Sequence, residues 1–226
     1  MLLATGIPPD LTTVLGKVSE REARMAKLLE NSSHMTATRA EELDKKGKVE
    51  SVTESLERVT LRGGKPEREI LRYVRDGKDD TAGEKKKRAG VKAGPPGKER
   101  SMRVGMKSPF EASELDKHRF TLVGPDPADP NRLTIRFEPK GKPSPETSVG
   151  EAVVDAATGA VVRIRFRPAD NPKFVDSLDV QMEYGAATLQ GPALSRVTID
   201  GAGGILFVKK RMKMTVTISD YEFAAR

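Results

Sequence analysis

From residue 10 the apolar positions Leu11, Val14, Leu15, Val18, Met25, Leu28 and Leu29 recur at intervals of three and four. That spacing lays one apolar stripe along a helix and predicts an amphipathic segment ending near Asn31. Gly16 weakens its middle, and Ser19 with Glu22 spells a capping box, so a break or restart near residue 19 is the alternative to one continuous helix. Glu20, Glu22 and Glu30 share the polar side with Lys and Arg, unlike the plainly cationic face of a surface-seeking membrane helix. Packing on a core is the favoured role.

After His34 the period changes to two. Residues 36–44, a Lys45-Lys46-Gly47-Lys48 turn and residues 49–61 read as a hairpin, and Gly63-Gly64 leads to a third strand through Ile70, Tyr73 and Val74. The alternation sharpens later. Phe120 and Leu122, then Leu133, Ile135 and Phe137, fall on one face, against Arg119, Thr121, Arg132, Thr134 and Arg136 on the other. Residues 149–155 and 160–167 form another hairpin, with Val162, Ile164 and Phe166 opposite Arg163, Arg165 and Arg167. Leu178, Val180 and Met182 alternate next. Strands around Val197 and Ile199 and at residues 205–208 precede a long final one with Met212, Met214, Val216 and Ile218 inward. The template counts ten or eleven strands with short connections, which favours a meandering antiparallel sheet.

Area decides how that sheet is arranged. Ten strands about 4.8 Å apart and roughly 20 Å long present an apolar face near ~950 Å², whereas a 20-residue helix covers about 300 Å². One helix is too small for a flat sheet. The expected fold is therefore mainly β, a curved antiparallel half-barrel of ten or eleven strands enclosing the N-terminal helix. Residues 1–9 read as an N-terminal extension and 10–226 as a single domain.

Composition narrows the function classes. The chain has 226 residues with 36% hydrophobic and 32% charged positions, and no cysteine, which removes disulfides, thiolate metal sites and thiol nucleophiles. No apolar run is long enough to span a bilayer as a helix, so an integral helical membrane protein is not expected. The N-terminal residues have too short an apolar run and no basic flank for a signal peptide; the chain reads as cytoplasmic, or as an exported protein without its leader.

The net charge of +7 traces to residues 84–107, which carry nine Lys and Arg against Glu84 and Glu99. Residues 79–108 lack apolar periodicity and are rich in Gly and Pro, so they are expected as a flexible basic loop. Lys85, Lys86, Lys87 and Arg88 in it are candidates for an anionic partner, either a lipid headgroup or a protein. Nucleic acid is disfavoured, because no aromatic stands between Tyr73 and Phe110 for bases to stack on.

Catalytic patterns are missing from the sequence: no Walker loop, no G-x-S-x-G elbow and no H-E-x-x-H. Gly201-Ala202-Gly203-Gly204 reads as a turn or bulge, and His34 and His118 as surface residues of loops or strands. Arg163, Arg165, Arg167, Arg132 and Arg136 lie on the outward face, where cross-strand acids are expected to neutralise them. No cofactor, metal or catalytic residue is expected.

The segments TATRAEELDKKGKVESVTESLERVTLRGG, RYVRDGKD, HRFTLVGPD, NRLTIRFEP, GEAVVDAATGAVVRIRF, LDVQMEYG and KKRMKMTVTISDYEF together resemble the outer-membrane lipoprotein-sorting (LolA-like/LolB-like) superfamily, over residues 34–223. The resemblance implies a half-barrel with a helix in its concave side, a bacterial envelope or periplasmic location, and binding of lipid or lipoprotein acyl chains. No individual ligand-binding residue carries over, because the shared signatures are hairpins and strands. The candidate lining of an acyl cavity follows from the inward pattern: Leu15, Val18, Met25, Phe120, Leu122, Leu133, Ile135, Phe137, Ile164, Phe166, Leu178, Val180, Met182, Met212, Met214 and Val216. Two functions are open at this point. One is a non-enzymatic acyl-chain carrier; the other is a structural or adaptor subunit with a filled barrel that docks a partner through a strand edge or the basic loop.

Overall fold

The computed structural model describes residues 10–90, 108–188, 191–205 and 208–223. Helix α1 (Leu11–Leu29) starts where the Asp10 carboxylate accepts a hydrogen bond from the Thr13 N–H at 3.3 Å, and it runs unbroken through Ser19. The capping box at residues 19–22 is not used, because Val14 and Val18 on either side of Gly16 are both fully buried and anchor the helix on the sheet.

Eleven strands build one antiparallel sheet. Before the central break come β1 (Ser32–Leu43), β2 (Val49–Arg62), β3 (Lys65–Arg75) and β4 (Lys78–Asp79). Helices α2 (Thr81–Gly90) and α3 (Ala112–Leu115) follow, then β5 (His118–Asp126), β6 (Asp129–Pro139), β7 (Ser148–Asp155), β8 (Val161–Pro168), β9 (Val175–Ala186), β10 (Ala193–Ile205) and β11 (Val208–Phe223). The spatial order is β4-β3-β2-β1-β11-β10-β9-β8-β7-β6-β5. Two meanders therefore meet at the β1–β11 pair, and the outer edges, β4 and β5, do not join. The sheet is a curved half-barrel enclosing helical elements, as the area argument requires. Register shifts in the β1–β11, β2–β3, β5–β6 and β9–β10 pairs are bulges, which bend and twist the strands they interrupt.

Cross-strand partners share a face, so the register traces continuous rows along the concave side. One row is Leu122, Ile135, Ala152, Ile164, Met182, Val197, Val216, Thr38, Ser55, Tyr73. The next is Phe120, Phe137, Gly150, Phe166, Val180, Ile199, Met214, Ala40, Thr53, Arg75. Both rows are apolar from β5 to β11 and largely polar from β1 to β3. Gly150 has a packing reason: a Cβ there would lie 2.2 Å from the Arg165 carbonyl oxygen and 2.7 Å from the Phe166 Cβ.

The structure departs from the sequence pattern in several places. Residues 81–90 form α2 rather than a loop; the remainder of the expected basic loop, 91–107, falls outside the described residues, as does the expected extension 1–9. Helix α2 buries no side chain, so apolar periodicity could not reveal it, and it is held to the sheet by the Arg88–Glu57 ion pair and by hydrogen bonds between Thr81 and the Tyr73 backbone. Gly201 to Gly204 lie inside β10, where the expected bulge falls at Ala202/Gly203; Ile205 and Val208 pair as the end of β10 and the start of β11 instead of belonging to a separate strand, and residues 206–207 lie outside the described residues. His118 is buried, because its ring packs against Phe120 and Phe137 while Nδ1 lies 3.0 Å from the Glu114 carbonyl oxygen. His34 is half-buried on the concave face of β1 rather than a surface residue.

Candidate functional site

The structure divides the residues expected to line an acyl cavity into two sets. Val18, Leu133, Ile135, Phe137, Ile164, Phe166, Leu178 and Val180 are buried together with Val14 and Phe110 in a closed apolar core. Leu15, Phe120, Leu122, Met182, Met214 and Val216 pack on that core but remain half-buried, and Met25 and Met212 are half-buried outside it. The sealed set lies beneath α1. The helix is pinned across the sheet at two places: Lys17 Nζ donates to the Ala156 and Ala157 carbonyls of the β7–β8 turn, at 3.4 and 3.2 Å, and Arg21 reaches the Pro192 carbonyl at 3.5 Å.

On β11 the register brings Met212, Met214, Val216 and Ile218 beside Glu42, Ala40, Thr38 and Thr36 of β1. This is the seam where apolar side chains give way to hydroxyls. Thr36, Thr38, Ser55, Thr53 and Ser51 then form a polar floor on β1 and β2. At its end Glu57, 7% exposed, accepts from Arg68 Nη1 at 3.3 Å and from Arg88 Nη2 of α2 at 3.1 Å. Arg88 Nε also donates to Glu84 at 3.0 Å, so α2 is tied to the concave side of β2 through charge-assisted bonds. His34 shares the row of Val59 and Arg68. Its ring stacks obliquely at 5.3 Å on Tyr221, and its Nδ1 is buried with no hydrogen-bond partner among the described residues. Burial, and then the charge of Arg68, lower its pKa, which keeps the imidazole neutral. Tyr221 donates its hydroxyl to the Leu194 carbonyl at 2.8 Å, and burial pushes its pKa up to about 12.

A second polar group sits under the C-terminal half of α1. Burial raises the Glu22 pKa against a hydrogen bond from Ser108, and the nearby Glu111 raises it further. The Tyr184 pKa is raised by burial and by the charges of Glu22, Tyr221 and Glu111, and its hydroxyl donates to the soft Met182 sulfur at 3.9 Å. A groove of about 610 Å³ opens at the adjacent end of β9–β11, lined among others by Glu183, Ser195, Arg196, Thr217 and Asp220. Glu183, Arg196 and Thr217 share the outward face, and Ile218 and Tyr221 of β11 also line the groove.

The outward arginines meet the expected cross-strand acids only in part: Arg165 stands opposite Glu151, and Arg167 opposite Val149. Arg136 pairs with Glu151 at 2.8 Å, Arg132 with Asp129 at 3.1 Å, and Arg163 stands opposite Glu183 across β8–β9. The basic cluster Lys85, Lys86, Lys87 and Arg88 is on α2: Arg88 and Lys87 pair with Glu84, and Lys85 and Lys86 are exposed. Sequence reasoning missed Glu57, Arg68 and His34. Their signal was available: a Glu, an Arg and a His at inward positions of polar strands, where alternation alone marks them as facing the helix side. Among the described residues no group of three or more His, Asp or Glu is placed to hold a metal ion, and no helix is long and apolar enough to cross a membrane.

No protein-family profile and no curated protein matches this chain. Among solved structures it is similar to a domain from Vibrio parahaemolyticus described as an outer-membrane lipoprotein-sorting protein, at 12% identity and TM-score 0.40, over 95% of this chain and 93% of that one. It is also similar to MucB in its complex with MucA(peri), at 8% identity and TM-score 0.26, over 96% of this chain and 100% of that chain. The MucA/MucB complex of Pseudomonas aeruginosa matches at 10% identity and TM-score 0.26, over 92% and 99%. At such identities and scores the likeness is one of chain course alone.

Proposed function

We propose that this chain is a non-enzymatic binding protein of the bacterial envelope that holds an acyl chain in the seam of its half-barrel. The observation that carries the reading is the β11–β1 junction. Four half-buried apolar side chains, Met212 to Ile218, lie along one strand for about 20 Å at roughly 3.3 Å per residue, beside a hydroxyl-lined floor. A trough with one apolar and one polar wall suits an amphiphile, and methionines adapt their shape to a flexible chain. The envelope location is supported by the sequence resemblance and by nothing in the site itself.

A second reading has its own observation. The apolar core beneath α1 is sealed, which favours an adaptor whose interior is fully packed and whose partner is a protein. Native mass spectrometry of the purified protein, followed by solvent extraction and lipid analysis, separates the two. Co-purifying lipid, or uptake of added fatty-acyl probe that Met214→Glu abolishes without loss of the β-sheet circular dichroism signal, supports the carrier. A protein that stays free of lipid and takes up no probe overturns it.

A further inference from the structure

Resting on the acyl-chain reading, we infer that the polar half of the concave face selects an anionic lipid headgroup, received by His34, Arg68 and the basic face of α2. Three independent features converge there. The Nδ1 of His34 is buried and unpartnered among the described residues, a condition that buried polar atoms in native proteins rarely keep unless something else occupies the space beside them. Arg68, which lies in the same cross-strand row, uses Nη1 on Glu57, leaving its other guanidinium donors without an ion pair among the described residues. Arg68 and Arg88 meet on Glu57, and Arg68 with Lys85, Lys86, Lys87 and Arg88 of α2 makes five cations against the four carboxylates Glu57, Glu84, Asp79 and Asp80. The surplus is one positive charge, and Lys85 and Lys86 are the exposed cations of the group.

Position ties this patch to the acyl trough. His34 is two residues before Thr36 on β1, and Thr36 stands opposite Ile218, one end of the apolar strip. An acyl chain lying from Met212 toward Ile218 would deliver its headgroup to the His34–Arg68 row. The other end suits an anion less, because Met212 stands opposite Glu42, whose carboxylate already occupies Lys210 at 2.7 Å. A phosphodiester headgroup takes hydrogen bonds from guanidinium and imidazole N–H groups, and Lys85 and Lys86 add long-range attraction. A zwitterionic headgroup gains much less.

The chain has only two histidines, so ring resonances of the full-length protein separate His34 from His118 directly. Phosphatidylglycerol in short-chain form should shift the His34 resonances and raise the pH midpoint of its titration, leaving His118 unmoved. Phosphatidylcholine of the same chain length should bind at least tenfold more weakly. Arg68→Gln should cut the preference for phosphatidylglycerol about tenfold. Should that variant fail to fold, the exposed pair Lys85→Gln/Lys86→Gln should reduce it severalfold. Equal binding of the two lipids, unaffected by either variant, overturns the headgroup inference and leaves the acyl-chain reading standing. Binding of neither lipid overturns both. Glycerol phosphate alone producing the full His34 shift at the same concentration overturns the lipid as the ligand.

Discussion

Truncating Val18 to Ala tests whether α1 holds the apolar half of the sheet together. Val18 is fully buried, in the same core as Val14, Ile135, Val154 and Ile164. The substitution removes two methyl groups at a site closed on all sides. With about 0.5–1.5 kcal/mol per carbon deleted from a core, the loss is about 1–3 kcal/mol. Alanine is the better helix former and returns roughly half a kcal/mol. The net loss of about 0.5–2.5 kcal/mol corresponds to a fall in Tm of about 1–10 °C for a chain of this size. Thr12→Ala, at an exposed position of the same helix, is the control and should leave Tm unchanged or raise it by up to about 2 °C. Calorimetry and urea unfolding give both numbers, with the urea m-value unchanged in each case. If V18A melts within a degree of T12A, the helix is not what closes the core, and the division into sealed and open halves fails.

Gly159 sits at φ +70° in the β7–β8 turn, and a Cβ there would lie 2.6–2.8 Å from the Lys17 backbone and its Cβ. Gly159→Ala adds left-handed backbone strain of about 1–2 kcal/mol to a collision with α1, so Tm should drop by at least about 5 °C; a wild-type melting curve would show that the helix does not rest on this turn. Glu22 has a folded-state pKa raised by burial, so the folded protein holds a proton that the unfolded chain releases, and its contribution to stability is lost as pH rises through the folded value. Glu22→Gln should therefore match wild type near pH 4 and exceed its Tm by a few degrees at pH 8, whereas the same difference at both pH values would contradict the burial argument.

The apolar half of the fold was legible because its strands obey strict alternation: Leu122, Ile135, Ile164, Met182 and Val197 are all apolar, all face the core, and each sits where period two placed it. Curvature was legible from area alone. Helix α2 was hidden because its partner Glu57, which Arg68 also holds, is remote in sequence and acts through charge. His118 was misjudged for a related reason. Its burial depends on α3, whose Glu114 carbonyl meets the ring, and on the aromatic pair Phe120 and Phe137, and none of these contacts has a periodic signature. The seam was half visible: the Met and Val positions of β11 were marked as inward, but only pairing with β1 reveals that threonines stand beside Val216 and Ile218.

That pairing also has a consequence for how the molecule comes together. Strand β1 meets β11 across nearly the whole chain, joining Ser32 to Phe223 and Leu43 to Arg211, while every other neighbouring pair consists of strands consecutive in the chain. Each meander can assemble from nearby residues as it emerges during synthesis, but the junction must wait for the final strand, so it is the slow, high-separation step. The β1–β11 seam is therefore expected to be the last surface completed, and pulse-labelling hydrogen exchange should find amides of β6–β8 protected before those of β1.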